Sequence, residues 1–339
     1  MRVAVDARAL REGSPQRGVA RYLRTLLAEL ERRFPRDEFV PVATGRLANA
    51  TASALGRPRL DRLAGGCDVV WCPAPAPVAM PADAPLVLTV HDLSFEHRPG
   101  DFTAYERLWH RIARPRRIAR RAAEVITVSR TVAGQVAGEW GVDPARVTAV
   151  LSGPGRPPGP AEPAAAGVPA PYVLAVGALE PRKQPELLAR AHAMARRDGL
   201  AAGLVFAGEG ALAGRLDGAA TAVLGRVSDG RLESLYEGAL ALVCCSAEEG
   251  FGFTPLEALA RGCPAVVADL PVLEEVLGEG ALRFPGGNAR ALADALLALE
   301  REPGLRERTV RAGAEAVAAL SWERAARETH AVLSRAAAP

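Results

Sequence analysis

The chain alternates short apolar runs with longer stretches in which apolar residues recur at helical spacing. Val3-Ala-Val-Asp6, Asp68-Val-Val-Trp71, Leu86-Val-Leu-Thr-Val90, Glu124-Val-Ile-Thr-Val-Ser129 and the run closing at Val150 have the length of buried strands. Val19 to Phe34 sets Val19, Tyr22, Leu23, Leu26, Leu27 and Leu30 on one face, which predicts an amphipathic helix, and another helix is predicted from Thr131 onward. The alternation resumes at Tyr172-Val-Leu-Ala-Val176. It continues through Leu204 to Gly210, Ala222 to Asp229, Ala239 to Cys245 and Ala265 to Ala268, and a last helix is predicted over Ser321 to Ala336. Between the two series, residues 152–171 hold seven prolines and four glycines with almost no periodicity, which is a linker composition. Strands alternating with helices predict parallel sheets. The expectation is an α/β protein of two domains, 1–151 and 172–320, with a linker at 152–171 and a final helical segment at 321–339.

Composition narrows the class without naming a function. A chain of 339 residues, 49% hydrophobic and 24% charged, can bury two sizeable cores. No apolar run approaches the ~18 residues of a membrane span, and the start Met-Arg-Val-Ala-Val-Asp lacks the apolar stretch of a signal peptide. Five cysteines without metal-ligand spacing read as free thiols, so a cytoplasmic protein is expected. Residues 1–151 carry 23 arginines against 16 acidic residues, while the remainder is net acidic. That asymmetry suits an anionic acceptor or a membrane surface for the first half. Lys183 is the only lysine in the chain. A position that keeps lysine where every other base is arginine is a candidate for needing a compact ammonium charge.

The chemistry concentrates in the second half. Glu249-Gly-Phe-Gly-Phe-Thr-Pro-Leu-Glu257 links the strand ending at Cys245 to a short helix that stops at Gly262-Cys-Pro264. Such a glycine-rich loop brings bare amides to a helix N-terminus, where anions and hydroxyl-rich ligands bind. Thr254 reads as the N-cap and Pro255 as the first helical residue. Glu257 then completes a capping box with Thr254, or else faces a ligand. Glu249, before the loop, caps nothing obvious. Arg182 and Lys183 precede Pro185, which reads as a first helical residue. A guanidinium, an ammonium and a positive dipole end together make a pyrophosphate clamp.

The first half offers His91-Asp92, immediately after a strand, where open α/β sheets bind ligands. His91 reads either as a loop histidine satisfied by Asp92 or as a cleft residue. Gly18 either eases the turn into its helix or approaches a ligand. Residues 104–121 carry seven arginines interleaved with Trp109, Ile112 and Ile118, a solvated basic face or an interfacial helix. No nucleic-acid module accompanies these charges. There is no G-x-G-x-x-G, no D-x-D and no G-x-S-x-G.

Ser246-Ala-Glu-Glu-Gly-Phe-Gly-Phe-Thr-Pro-Leu-Glu-Ala-Leu-Ala-Arg-Gly-Cys-Pro-Ala-Val-Val resembles the E-x7-E signature of retaining glycosyltransferases of family 4. Glu180-Pro-Arg-Lys183 resembles the compact form of that family's Arg-Lys clamp, and His91-Asp-Leu-Ser-Phe-Glu-His resembles its mannosyltransferase branch. The resemblance covers almost the whole chain and implies a GT-B architecture, two Rossmann-like domains facing across a cleft. It implies Glu249 at the donor sugar, Glu257 at the nucleotide ribose, Arg182 and Lys183 at the diphosphate and His91 lining the sugar site. It further implies donor contacts at Gly18, Gly208, Val227, Gly252, Phe253 and Thr254, and a last helix that crosses back to brace the first domain. Leu151-Ser-Gly-Pro stands where the family usually has an Asn-Gly pair, so that loop departs from the pattern.

The function implied is metal-independent, retaining transfer of a sugar, mannose first, from a nucleoside-diphosphate sugar. The acceptor is carbohydrate, lipid-linked or a small molecule, and no cofactor is expected. Residues 104–121 are a candidate peripheral membrane contact, and no nucleic-acid partner is expected. A GT-B epimerase or hydrolase, and a sugar-nucleotide binder without turnover, are the alternatives.

Overall fold

The computed structural model describes residues 1–11, 18–43, 57, 59–81, 83–163, 168–216, 218 and 220–338. The chain forms two compact units, Met1–Gly153 with Leu320–Pro339, and Pro154–Ala319. Each is built on one six-stranded sheet in which every strand pairing is parallel.

In the first unit the strands are β1 (Arg2–Asp6), β2 (Glu38–Val42), β3 (Val69–Cys72), β4 (Leu86–Val90), β5 (Glu124–Thr127) and β6 (Val147–Ala149), in the order β2-β1-β3-β4-β5-β6. In the second they are β7 (Tyr172–Val176), β8 (Gly203–Ala207), β9 (Thr221–Val223), β10 (Ala239–Cys244), β11 (Ala265–Ala268) and β12 (Ala281–Phe284), in the order β12-β11-β10-β7-β8-β9. β3, β4, β5, β8 and β11 are buried along their whole length, which is why they read as continuous apolar runs. β2 and β12 lie at sheet edges and alternate buried with exposed positions, so no such run announces them.

The topology fixes where ligands can bind. In an open parallel sheet the crevice opens at the carboxyl edge, between the strands where the winding reverses. That point falls between β1 and β3 in the first unit and between β7 and β10 in the second.

The expected helices form with local causes. The helix Gly18–Arg33 buries Ala20, Tyr22, Leu23, Leu26, Leu27 and Leu30. Ser129 caps Arg130–Trp140 by accepting the Val132 amide, and Ser228 caps Asp229–Gly238 by accepting that of Arg231. The last helix, Trp322–Ala337, starts at the Ser321 cap and belongs to the first unit. It packs on Gly18–Arg33 and on β3, β4 and β5, with Arg335 donating to Glu124 at 2.7 and 3.0 Å.

Candidate active site

At the winding reversal of the second sheet, the loop after β7 and the loop after β10 meet. Pro181–Lys183 forms one 3-10 turn, and Gln184 in the left-handed region leads into the helix Pro185–Arg197 with Pro185 at its first position. The Ala247 amide donates to the Arg182 carbonyl at 2.9 Å, and Arg182 Nη1 donates to the Glu248 carbonyl at 3.2 Å. This stitching places Lys183 against Glu249, whose carboxylate it pairs with. Ser246 Oγ donates to the same oxygen, Glu249 Oε1, at 2.6 Å, and the Cys244 thiol lies 3.8 Å from it.

Burial pushes the Glu249 carboxyl up, but the charges of Lys183 and Arg182 and the hydrogen bonds of Lys183 and Ser246 outweigh it, and the pKa falls to about 2. Glu249 is therefore an anion throughout the neutral range. It can accept hydroxyl hydrogens or face a developing positive charge, but it cannot serve as a general acid. A pocket opens beside this pair, lined among others by Gly177, Leu179, Lys183, Phe206, Ser246 and Thr254.

The loop itself departs from the expected capping. Its helix runs Phe253–Leu259, with Gly252 as N-cap at φ 97° and no side chain capping it. Thr254 therefore lies inside the first turn rather than at the cap, and Pro255 is the third helical residue. A Cβ on Gly252 would stand 2.6 Å from Leu273 Cδ2, so the position combines a left-handed backbone with close packing that only glycine satisfies. Because the helix begins before Thr254, Glu257 is too deep to complete a capping box. Its carboxylate instead accepts the Arg156 amide at 3.2 Å on one oxygen and the Tyr236 hydroxyl at 3.4 Å on the other.

Gly208 ends β8 against the turn after β7, where a Cβ would lie 1.8 Å from the Gly177 carbonyl oxygen. The backbone contact alone explains that glycine. Val227 is half-buried in the turn after β9, packed on the core formed by Leu232, Leu235 and Tyr236. Gly208 and Gly225 form an isolated bridge that ties this turn to the end of β8.

Gly18 and His91 belong to the first unit. Gly18 is the first residue of its helix, and neither a left-handed φ nor crowding by the described residues demands glycine there. The residues that precede it, 12–17, lie outside the described ones. His91 follows β4, and its Nε2 lies 2.8 Å from the Pro73 carbonyl oxygen. Since a carbonyl only accepts, Nε2 carries the proton and Nδ1 is left as an acceptor. Burial lowers the His91 pKa, against smaller raising effects of the Pro73 bond and Asp92. Its histidine bond is thus to backbone rather than to Asp92, whose carboxylate takes the Ser94 amide and hydroxyl at 3.0 and 2.5 Å.

The basic segment is two helices, Ala104–Ala113 and Pro115–Arg121, broken at Arg114 with φ 50°. Ile118 is buried and Trp109 and Ile112 are half-buried, so the expected apolar positions face inward. Tyr105 and Leu108 are the exposed ones, at 65% and 51%.

The structure thus pairs Lys183 directly with Glu249 and holds Arg182 beside them on the Glu248 carbonyl, with Thr254 lining the same pocket as Lys183. Glu257 stands in a separate hydrogen-bonded network on the same unit. Ser246, Tyr236, Arg156, Glu233 and Arg261 carry polar contacts that the sequence reading did not single out. Ser246 and Arg261 had a local signal, both lying inside the signature string. Among the described residues no three His, Cys, Asp or Glu side chains are grouped so as to hold a metal ion.

Comparison with known proteins agrees with this architecture. Residues 164–316 match the family model described as glycosyl transferases group 1, and residues 16–153 the one described as glycosyltransferase family 4. The chain is 49% identical over 76 residues to a phosphatidyl-myo-inositol mannosyltransferase of Mycobacterium leprae, 22% of this chain and 20% of that one. It is 41% identical over 80 residues to the O-antigen chain mannosyltransferase RfbU of Salmonella typhimurium, 24% and 23% of the two chains. These alignments span about a fifth of the relatives' lengths. A longer match, 31% over 241 residues, covers 63% of this chain and 58% of a D-inositol 3-phosphate glycosyltransferase of Actinosynnema mirum.

Among solved structures, sucrose-phosphate synthase from Thermosynechococcus elongatus superposes with a TM-score of 0.73 at 17% identity over 98% of each chain. Anabaena Alr3699/HepE in complex with UDP-glucose gives 0.72 at 17%, over 99% of this chain and 100% of that one. At such identities the likeness shows the fold. The two family models do not overlap and together take in most of the chain, so this protein, with its two parallel-sheet units, belongs to the group 1, family 4 glycosyltransferases of GT-B fold.

Proposed function

We propose that the chain is a retaining glycosyltransferase that moves a sugar, mannose first, from a nucleoside-diphosphate sugar to a carbohydrate, lipid-linked or small-molecule acceptor. The observation that carries this reading is the group of Arg182, Lys183 and Glu249 at the winding reversal of the second sheet, beside a pocket. Lys183 and Arg182 hold the diphosphate and offset the charge that grows on it as the bond from phosphate oxygen to the anomeric carbon breaks. Glu249, ionised at neutral pH, accepts donor-sugar hydroxyls, and Glu257 accepts those of the ribose. The amides of Gly252, Phe253 and Thr254, the backbone of Val227, and Gly208 and Gly18 contribute the remaining donor contacts.

In the transfer, the acceptor oxygen bonds to the anomeric carbon, the nucleoside diphosphate leaves with the electron pair, and its phosphate takes the acceptor proton. A same-face route of this kind needs no protein base; a double displacement with Glu249 as nucleophile is the other retaining route. His91, holding its proton on Nε2, offers Nδ1 to a sugar hydroxyl. The cationic pair does the work that a divalent ion does in other transferases, so turnover persists in a chelator. Mannose is favoured by the likeness to mannosyltransferases described above.

The test is a panel of GDP- and UDP-sugars scored by thermal shift in EDTA, followed by product formation with and without candidate acceptors. Stabilisation by one nucleotide series and acceptor-dependent transfer are expected. Donor consumption without any acceptor would assign an epimerase or hydrolase instead, and binding without consumption a binder. Peripheral membrane contact through 104–121 is part of the same reading, supported by Tyr105 and Leu108 exposed beside Arg111 and Arg114. Co-sedimentation with anionic vesicles, lost in a Tyr105→Ser, Leu108→Ser double variant, is the expected result.

A further inference from the structure

Arg261 sits two residues beyond the Phe253–Leu259 helix, with a side chain only 2% exposed. A buried guanidinium must spend all its donors on partners, and the partners of Arg261 converge on one neighbour, Glu257. Nη1 donates to the backbone carbonyl of Glu257 at 2.7 Å. Nη2 donates to the carbonyls of Arg156 and Pro157 at 3.3 and 3.2 Å, fixing the strand of backbone whose Arg156 amide binds the Glu257 carboxylate. Nε and Nη2 form a two-pronged pair with the buried Glu233 at 2.5 and 2.7 Å. Glu233 lies on the Asp229–Gly238 helix, one turn before Tyr236, whose hydroxyl reaches the other Glu257 oxygen. The guanidinium carbon also stands 5.2 Å from the Tyr236 ring centroid, a cation–π contact.

Glu257 is further hemmed in by the backbone. A Cβ on Gly155, whose φ is +80°, would lie 2.6 Å from Glu257 Cγ and 2.8 Å from Oε1. The carboxylate is thus seated on a left-handed glycine and an amide, and that segment is pinned by Arg261. Burial raises the Glu233 carboxyl, but the hydrogen bond and charge of Arg261 and the charge of Arg156 bring it below its ordinary value, so the pair is ionised.

We propose that Arg261 is a positioning residue for Glu257: one guanidinium fixes the helix end, the 156–157 backbone and the Tyr236 helix, and through them orients the Glu257 carboxylate toward the ribose hydroxyls of the donor. The inference rests on the ribose role of Glu257 stated above. A guanidinium is the group suited to this, because only its planar fork can hold a carboxylate in two prongs and still reach three carbonyls.

The test compares UDP and GDP, each beside its dideoxyribose analogue, by calorimetric binding to wild type, Arg261→Gln, Arg261→Lys and Tyr236→Phe, with the melting temperature of each variant recorded. Wild type is expected to prefer the ribose form of its nucleotide by about tenfold or more, the worth of a hydrogen bond to a charged group. Arg261→Gln narrows that preference to within about threefold. Arg261→Lys restores part of it, and KM for the donor rises much more than kcat falls. If Arg261→Gln does not fold, Tyr236→Phe, which removes one hydroxyl and keeps the ring, carries the same expectation of a narrowed ratio. A variant that weakens both analogues alike, with the ribose preference intact, overturns the inference. A wild-type protein that does not distinguish ribose from dideoxyribose removes the role of Glu257 itself, and the inference falls with it.

Discussion

The two sheets present the same kind of crevice and fill it differently. At the reversal between β1 and β3, Asp6 and Arg8 form a two-pronged pair at 2.8 and 2.5 Å with side chains 5% and 6% exposed, and Arg8 Nη1 donates to the Pro77 carbonyl at 2.5 Å. At the reversal between β7 and β10, Lys183 and Glu249 are 28% and 13% exposed, and Lys183 lines a pocket. Both crevices hold opposite charges. The first pair is turned inward and ties the loop after β3 to the end of β1, while in the second the Lys183 ammonium is partly exposed at a pocket wall. Topology marks where a ligand can bind, and the exposure of the charged pair decides whether the site is spent on the fold or kept for chemistry.

That contrast makes predictions of graded size. Asp6→Asn strips the counter-charge from a buried guanidinium and should cost about 3–5 kcal/mol, read as a fall in melting temperature on the order of 10 °C. Unchanged stability would mean that the first crevice is not sealed by its pair. Lys183→Ala should lower kcat/KM by roughly a hundred- to a thousandfold, measured by donor turnover, with a smaller stability loss than Asp6→Asn because Ser246 still donates to Glu249. A variant with normal turnover would sink the clamp. Glu249→Gln releases the ammonium from its carboxylate, so free nucleoside diphosphate should bind several-fold more tightly, by about 1 kcal/mol, while transfer is lost. Equal or weaker nucleotide binding in that variant would show that Glu249 does not compete with phosphate.

The smallest effect comes from pH. Burial lowers His91, His110 and His192 in the folded state, so the unfolded chain binds more protons near its ordinary histidine value. Stability is then complete above about pH 6.5 and lost as the pH falls below it. Melting curves between pH 8 and 5 should show this slope, shallower in His91→Asn. Glu249 works in a lower range, its contribution lost only as the pH drops from the ordinary carboxylate value toward about 2.

Much of this was legible from the residues alone. Ten strands announced themselves as short apolar runs, most of them because parallel strands covered on both faces are apolar throughout. The edge strands β2 and β12 were hidden because half of each faces solvent. Arg182, Lys183 and Glu249 could be found by type and position. Their mutual contact could not, since it depends on how loops 66 residues apart fold together. The same holds for Arg261, whose partners Arg156 and Glu233 lie 105 and 28 residues away. Thr254 was misplaced because its threonine-proline pair looks like a helix start, whereas the left-handed backbone at Gly252 begins the helix sooner.

Lys183 is the only ε-amine in 339 residues, and it sits in the pocket wall, paired and partly exposed. An amine-directed acylating reagent therefore has one internal target besides the chain's own terminus. Intact-mass counting of that single label, with and without a nucleotide, turns the protein into its own occupancy gauge and needs no engineered probe.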